Sequence, residues 1–172
     1  MAKVYISVGS NIDPLENVRK GLVLLNESVK ILALSTFWMT DPVDSEGQPR
    51  FLNGVVEIET ELDPATLKFS ILRKVEEKLG RVRTGDKHAP REIDLDIVIY
   101  GDATIDTDGI VLPDPEIESR AFLAVPLYEL DPDMILPGTD KKIYEIAGKF
   151  VEHTMEPKDD YTQSLRDELG VP

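Results

Sequence analysis

The stretch Ala89-Pro90-Arg91-Glu92-Ile93-Asp94-Leu95-Asp96-Ile97-Val98-Ile99-Tyr100 sets two carboxylates, Asp94 and Asp96, inside an apolar run. Successive side chains of a β-strand point to opposite faces. Asp94 and Asp96 therefore share one face, while Ile93, Leu95, Ile97 and Ile99 share the other. A strand that buries one face and carries paired acids on the other suits a hard cation. Magnesium takes one or two carboxylates, several waters and the oxygens of a substrate phosphate. Just upstream, Arg81, Arg83, Lys87 and Arg91 form a basic island with His88 among them. Guanidinium groups offer planar paired donors that match phosphate oxygens. Together these features suggest a nucleotide triphosphate with magnesium. The plainer reading, a solvated loop before an edge strand whose acids face water, stands beside it.

Working outward, this strand closes a recognisable series. Val4 to Val8 reads as a first strand, followed by a Gly9-Ser10-Asn11 turn. Asp13-Pro14 has the form of an N-cap with proline at the first helical position. Leu15, Val18, Leu22 and Leu25 continue at helical spacing. Val29 to Met39 is a second strand, and the turn-rich segment Thr40 to Arg50 is a loop. Phe51 to Glu61 alternates as a third strand with one wet face. Asp63-Pro64 repeats the helix start, Leu67, Ile71, Val75 and Leu79 form its apolar stripe, and Gly80 ends it. A loop over residues 81–92 leads into the acid strand. The order is β-α-β-β-α-β, so the expected class is α+β with a ferredoxin-like core. That arrangement puts two helices on one face of an antiparallel sheet and leaves the other face for ligand.

The last third is less regular. Ile105 to Leu112 reads as a strand or hairpin, Ile117 to Leu130 as a helix interrupted at Pro126, and Ile143 to Val151 as a short helix. The expected division is one domain over residues 1–151, then a polar C-terminal extension over 152–172. That tail is expected to pack loosely, with Leu165 and Leu169 as candidates for a short docking helix.

Composition narrows the function. The 172 residues include 33 acids against 19 lysines and arginines, a formal net charge of −14. So acidic a chain is a poor match for a broad nucleic-acid surface, where phosphate neutralisation supplies much of the affinity. A small anionic substrate needs only a local positive patch. There is no cysteine, which excludes disulfides, thiolate zinc sites and a cysteine nucleophile. No apolar run reaches the length of a membrane span. The chain opens directly on a strand pattern, so a cytoplasmic protein is expected.

Several short motifs recur together over residues 4–137. They are Val8-Gly9-Ser10-Asn11, Thr40-Asp41-Pro42, Phe51-Leu52-Asn53, Leu79-Gly80-Arg81-Val82-Arg83, the Ala89-to-Asp96 segment with Tyr100-Gly101-Asp102, Leu112-Pro113, Arg120-Ala121-Phe122 and Pro126-Leu127. In this order and spacing the chain resembles the 6-hydroxymethyl-7,8-dihydropterin pyrophosphokinases of folate biosynthesis. The resemblance implies transfer of a pyrophosphoryl group from ATP to the pterin hydroxymethyl oxygen, releasing AMP. It implies two magnesium ions on Asp94 and Asp96, with Arg81 and Arg91 stabilising the transferring phosphates. Glu76, Arg83, Lys87, Ile97 and Arg120 would lie along the ATP. Phe51 and Phe122 match a pair that stacks on the pterin, Asn53 an amide that reads its edge, and Thr40, Pro42 and Val43 backbone groups that read the rest. The loops 40–50 and 81–92 would close over the substrates and exclude water. Small-molecule substrates and a monomer are expected.

Three positions depart from that pattern. Asp114 stands where histidine is common, His88 where some members carry tryptophan, and Gly109 where some carry a base. An acid at 114 repels a triphosphate unless a metal or base intervenes. Two other readings remain: a divergent paralogue acting on another hydroxyl acceptor, and a non-catalytic ferredoxin-like nucleotide-binding domain.

Overall fold

The computed structural model describes residues 1–43, 47–107 and 109–172. Part of the loop expected over 40–50 therefore lies outside the described residues. Strand β1 (Ala2–Ser10) runs through the centre of an antiparallel sheet. It pairs with β4 (Phe51–Thr60) along its whole length on one side and with β5 (Asp94–Tyr100) on the other. The expected second strand is divided into β2 (Ile31–Leu34) and β3 (Trp38–Thr40), both paired with β4. Between them Phe37 tucks its ring under Gly54, where a Cβ would lie 2.7 Å from the ring. That crowding accounts for glycine in the middle of β4.

One face carries the larger core. Helix α1 (Pro14–Ser28) buries Val18, Leu22 and Leu25 against Val4, Ile6 and Val8. Asp13 does occupy the N-cap position, but with φ 40° its side chain caps nothing. Asn17 instead bonds the Ile12 carbonyl at 2.6 Å. At the next helix the cap is real: the Asp63 carboxylate accepts from the Thr66 N–H at 2.9 Å. This helix runs from α2 (Pro64–Thr66) through a π-helical turn (Leu67–Leu72) into α3 (Arg73–Lys78). A π-turn inserts one residue and shifts the phase of everything after it. Leu72 therefore takes the fully buried place expected of Ile71, which is only partly buried.

The opposite face is not left open along its length. A β6–β7 hairpin (Ile105–Thr107 and Ile110–Leu112) leads to a 3₁₀ turn (Pro115–Glu118) and α4 (Ala121–Leu130). With α5 (Ile143–Gly148) these bury a second cluster around Tyr5, Val55, Val98 and Ile99. The helix expected from Ile117 is broken because Arg120 is extended, at φ −122° and ψ 116°. The acid strand also departs from simple alternation. Tyr5 pairs with Ile99 and Ile6 with Ile97, so Val98 is the extra residue of a β-bulge. Ile99 joins Val98 under α4 and α5 instead of sharing a face with Leu95 and Ile97.

Residues 152–172 are not a loose tail. β8 (Glu156–Pro157) pairs with β3, and α6 (Asp159–Leu169) packs on α1 and β2. Leu165 is 1% exposed in the main core. The Thr162 hydroxyl accepts from the Phe37 N–H at 2.9 Å, and the Tyr161 hydroxyl donates to the Leu15 carbonyl.

Candidate active site

The site forms where the second face is uncovered. Because β1 lies between β4 and β5, Asp94 and Asn53 flank Gly9, and Asp96 lies opposite Ser7. These positions share the cleft face. A Cβ on Gly9 would lie 2.7 Å from the Asn53 side-chain oxygen, so the amide owes its place to that glycine. The Asn53 Nδ2 donates to the Thr40 hydroxyl at 2.7 Å.

Asp94 is held at both oxygens. Arg81 and Arg91 each donate to it at 2.9 Å. Burial alone would raise its pKa, but the two guanidiniums outweigh that and hold it below the usual carboxylate range. Asp96 is salt-bridged to Lys68 at 3.2 Å. Burial raises its carboxyl despite that lysine. Glu76 sits behind them at 2% side-chain exposure, so it is not a solvated helix acid. It accepts from Arg81, from Arg83 at 2.6 Å and from the Leu95 N–H at 3.0 Å. Burial still holds its carboxyl above the ordinary range. Glu76 thus fixes the Arg81 fork, and Arg81 in turn fixes Asp94.

A cleft of about 310 Å³ opens beside the acids, and Thr40, Val43, Phe51, Asn53 and Phe122 all line it. Pro42 is not among its wall residues. The volume lies at the lower end of those that hold small molecules. Arg91, Lys87 and Arg120 reach the same space, and the Arg91 guanidinium lies 5.9 Å from the centroid of the Phe51 ring. A second cleft holds Ile97 and Lys87, and Arg83 lines a third hollow with Arg81 and Arg91. The predicted residues therefore gather around one region, with Glu76 beneath it. Sequence reasoning missed the clasp between the loops. Asn11 donates to Gln48 at 3.1 Å, and Gln48 donates to the His88 carbonyl. Asn11 also accepts from the Arg91 N–H at 2.8 Å. It missed Lys68 as well, whose contact with Asp96 is made across the fold and leaves no spacing signal.

Asp114 caps the 3₁₀ turn, accepting from the Glu116 N–H at 2.8 Å, and it lines both main clefts. Burial, with Asp96 and Glu116 nearby, pushes its pKa up to about 6.

Asp94 and Asp96 offer hard oxygen donors on one face, beside room for a phosphate, so the donor set fits magnesium. Among the described residues no three His, Cys, Asp or Glu side chains cluster as a metal cage. Two carboxylates completed by water and substrate are what magnesium ordinarily takes.

Fold and cleft together define a class: an α+β domain that brings a paired acid and a ring of fixed cations to the open end of an antiparallel sheet. The model for 7,8-dihydro-6-hydroxymethylpterin-pyrophosphokinase matches residues 5–132. The chain belongs to that family. The 2-amino-4-hydroxy-6-hydroxymethyldihydropteridine pyrophosphokinase of Haemophilus influenzae is 33% identical over 158 residues, covering 90% of this chain and 97% of that protein. The Aquifex aeolicus protein of the same name is 37% identical, covering 91% and 96%. A folic acid synthesis protein of Schizosaccharomyces pombe is 36% identical over 84% of this chain, which spans only 20% of that longer protein. The crystal structure of wild-type Plasmodium falciparum HPPK-DHPS has a similar fold, with TM-score 0.68 over 94% of this chain and 46% of that one, at 13% identity.

Proposed function

We propose that this chain transfers a pyrophosphoryl group from ATP to the hydroxymethyl oxygen of 6-hydroxymethyl-7,8-dihydropterin. A bond forms from that oxygen to the β-phosphorus, the bond from the β-phosphorus to the α-phosphate bridging oxygen breaks, and AMP leaves. The hydroxyl proton is released. One observation carries the reading: the Asp94/Asp96 pair and its guanidiniums adjoin a cleft lined by two phenylalanines and a fixed amide.

Each group has a task in this scheme. Phe51 and Phe122 present apolar faces to a flat bicyclic ring. The Asn53 amide, oriented by Thr40 and Gly9, reads the edge of that ring. Arg81 and Arg91 stabilise charge building on the transferring phosphates. Lys87, Arg83, Arg120 and Ile97 line the path of the nucleotide. Asp94 and Asp96 would hold two magnesium ions, which when bound supply charge neutralisation and polarisation of the phosphate oxygens. We also read the strand order β5-β1-β4-β3 as the ferredoxin-like arrangement.

The test is product analysis. ATP, magnesium and the hydroxymethyl pterin together should yield AMP, with no AMP when the pterin is omitted. ADP as the nucleotide product would refute the proposed transfer.

A further inference from the structure

Lys68 lies in the π-helical turn, and its side chain is 18% exposed. Its ammonium sits 3.2 Å from Asp96 and donates to the Gly109 carbonyl at 2.6 Å. Gly109 is at φ +84°, a conformation that glycine adopts freely. One cation thus links the helical layer, the acid strand and the β6–β7 turn.

This ammonium faces a cleft of about 600 Å³ that shares Lys87, Asp96, Asp114 and Glu116 with the first. The second cleft therefore opens from the first at the acids. Its charged lining is Asp96, Asp114 and Glu116 against Lys68 and Lys87. An anionic ligand entering there meets more acid than base, and Lys68 is the cation that stands between Asp96 and the hairpin turn. Lysine is a compact charge on a flexible stem with three donors. Two of these donors face Asp96 and Gly109. Phosphate oxygens are stronger acceptors for an ammonium than a backbone carbonyl.

We propose that Lys68 is a nucleotide-binding residue: its ammonium, resting on Asp96 and the Gly109 carbonyl, takes a phosphate oxygen of the triphosphate on the Asp114 side of the cleft. The inference rests on the pyrophosphokinase reading above. It gives the chain the base that an acid at 114 requires.

The experiment is calorimetric binding of an ATP analogue with a methylene bridge between its α- and β-phosphates, at fixed magnesium, and of the pterin separately. Lys68→Met keeps the aliphatic stem and removes the charge. It should weaken the analogue about tenfold, the effect of one charge-assisted hydrogen bond, and leave pterin affinity within about twofold. Lys68→Arg keeps the charge and should bind the analogue nearly as the parent does. Unchanged analogue affinity in Lys68→Met overturns the proposal, as does equal weakening in Lys68→Arg or equal weakening of both ligands. A parent protein that binds neither ligand instead brings down the pyrophosphokinase reading itself, and this inference with it.

Discussion

At the scale of single residues, Asp114 is the most informative departure. An ordinary aspartate ionises near 3.8, and in the fold this one does so at about 6. The folded state therefore binds the proton more tightly than the unfolded one. Stability falls as pH rises from about 4 to about 6, then levels off once both states are ionised. Asp114→Asn retains an oxygen for the Glu116 N–H and removes the charge. We expect it to be more stable than the parent by about 1–3 kcal/mol at pH 7.5, with the gain gone near pH 4. Urea denaturation at the two pH values measures this, and a gain equal at both would assign the effect to packing. Asp96 makes the complementary case. Asp96→Ala should lower turnover at least a hundredfold, the scale of losing one electrostatic stabiliser, while the far-ultraviolet circular dichroism spectrum stays unchanged. Turnover close to that of the parent would remove Asp96 from the reaction.

At the scale of elements, the C-terminal helix is structural. Leu165→Ala should cost about 2–5 kcal/mol, as for other large-to-small changes at fully buried sites, read as a lower urea midpoint. A loss under about 0.5 kcal/mol would show that α6 contributes little to the core. The same helix shows why some of the fold was legible and some was not. Alternation in β4 and the stripe Val18, Leu22, Leu25 are local patterns, and both elements form where the pattern lies. Asp63-Pro64 is local too, and its cap forms. Asp13-Pro14 looks identical, yet the backbone at Asp13 is left-handed and the cap is absent. The π-turn and the Val98 bulge depend on partners remote in sequence, so no window of the chain displays them, whereas Leu165 and Leu169 do mark a candidate docking helix where α6 forms. The site followed the same rule. Asp94, Asp96 and the arginines sit in one motif and were visible together, whereas Lys68 and Gln48 reach the cleft only through tertiary packing.

At the scale of the whole molecule, two fields act on an incoming nucleotide. The chain as a whole carries −14 and repels it, while the guanidiniums of the cleft attract it at close range. Screening acts first on the distant charges, since the Debye length falls from about 30 Å at 0.01 M salt to about 8 Å at 0.15 M. Association of an ATP analogue should therefore quicken as salt rises through that range. Trp38, the single tryptophan, lies on β3 opposite Asn53 and offers a stopped-flow fluorescence signal. A rate that falls with salt would show that the basic loop dominates the field at long range.

The bulge at Val98 has a consequence for how this strand tolerates insertions and deletions. It works as a phase joint: upstream, the strand counts its residues against the cleft, and downstream against the α4 roof. Removing Val98 would restore plain two-residue counting with Tyr5 still opposite Ile99 and Ile6 opposite Ile97, so the acids keep the cleft face and Ile99 keeps its place under α4. A one-residue deletion at 98 should thus be far less damaging than one at Leu95, which would put Asp94 and Asp96 on opposite faces of the strand. The strand can thus give up a residue at the bulge, while upstream its length is held by the two acids of the cleft.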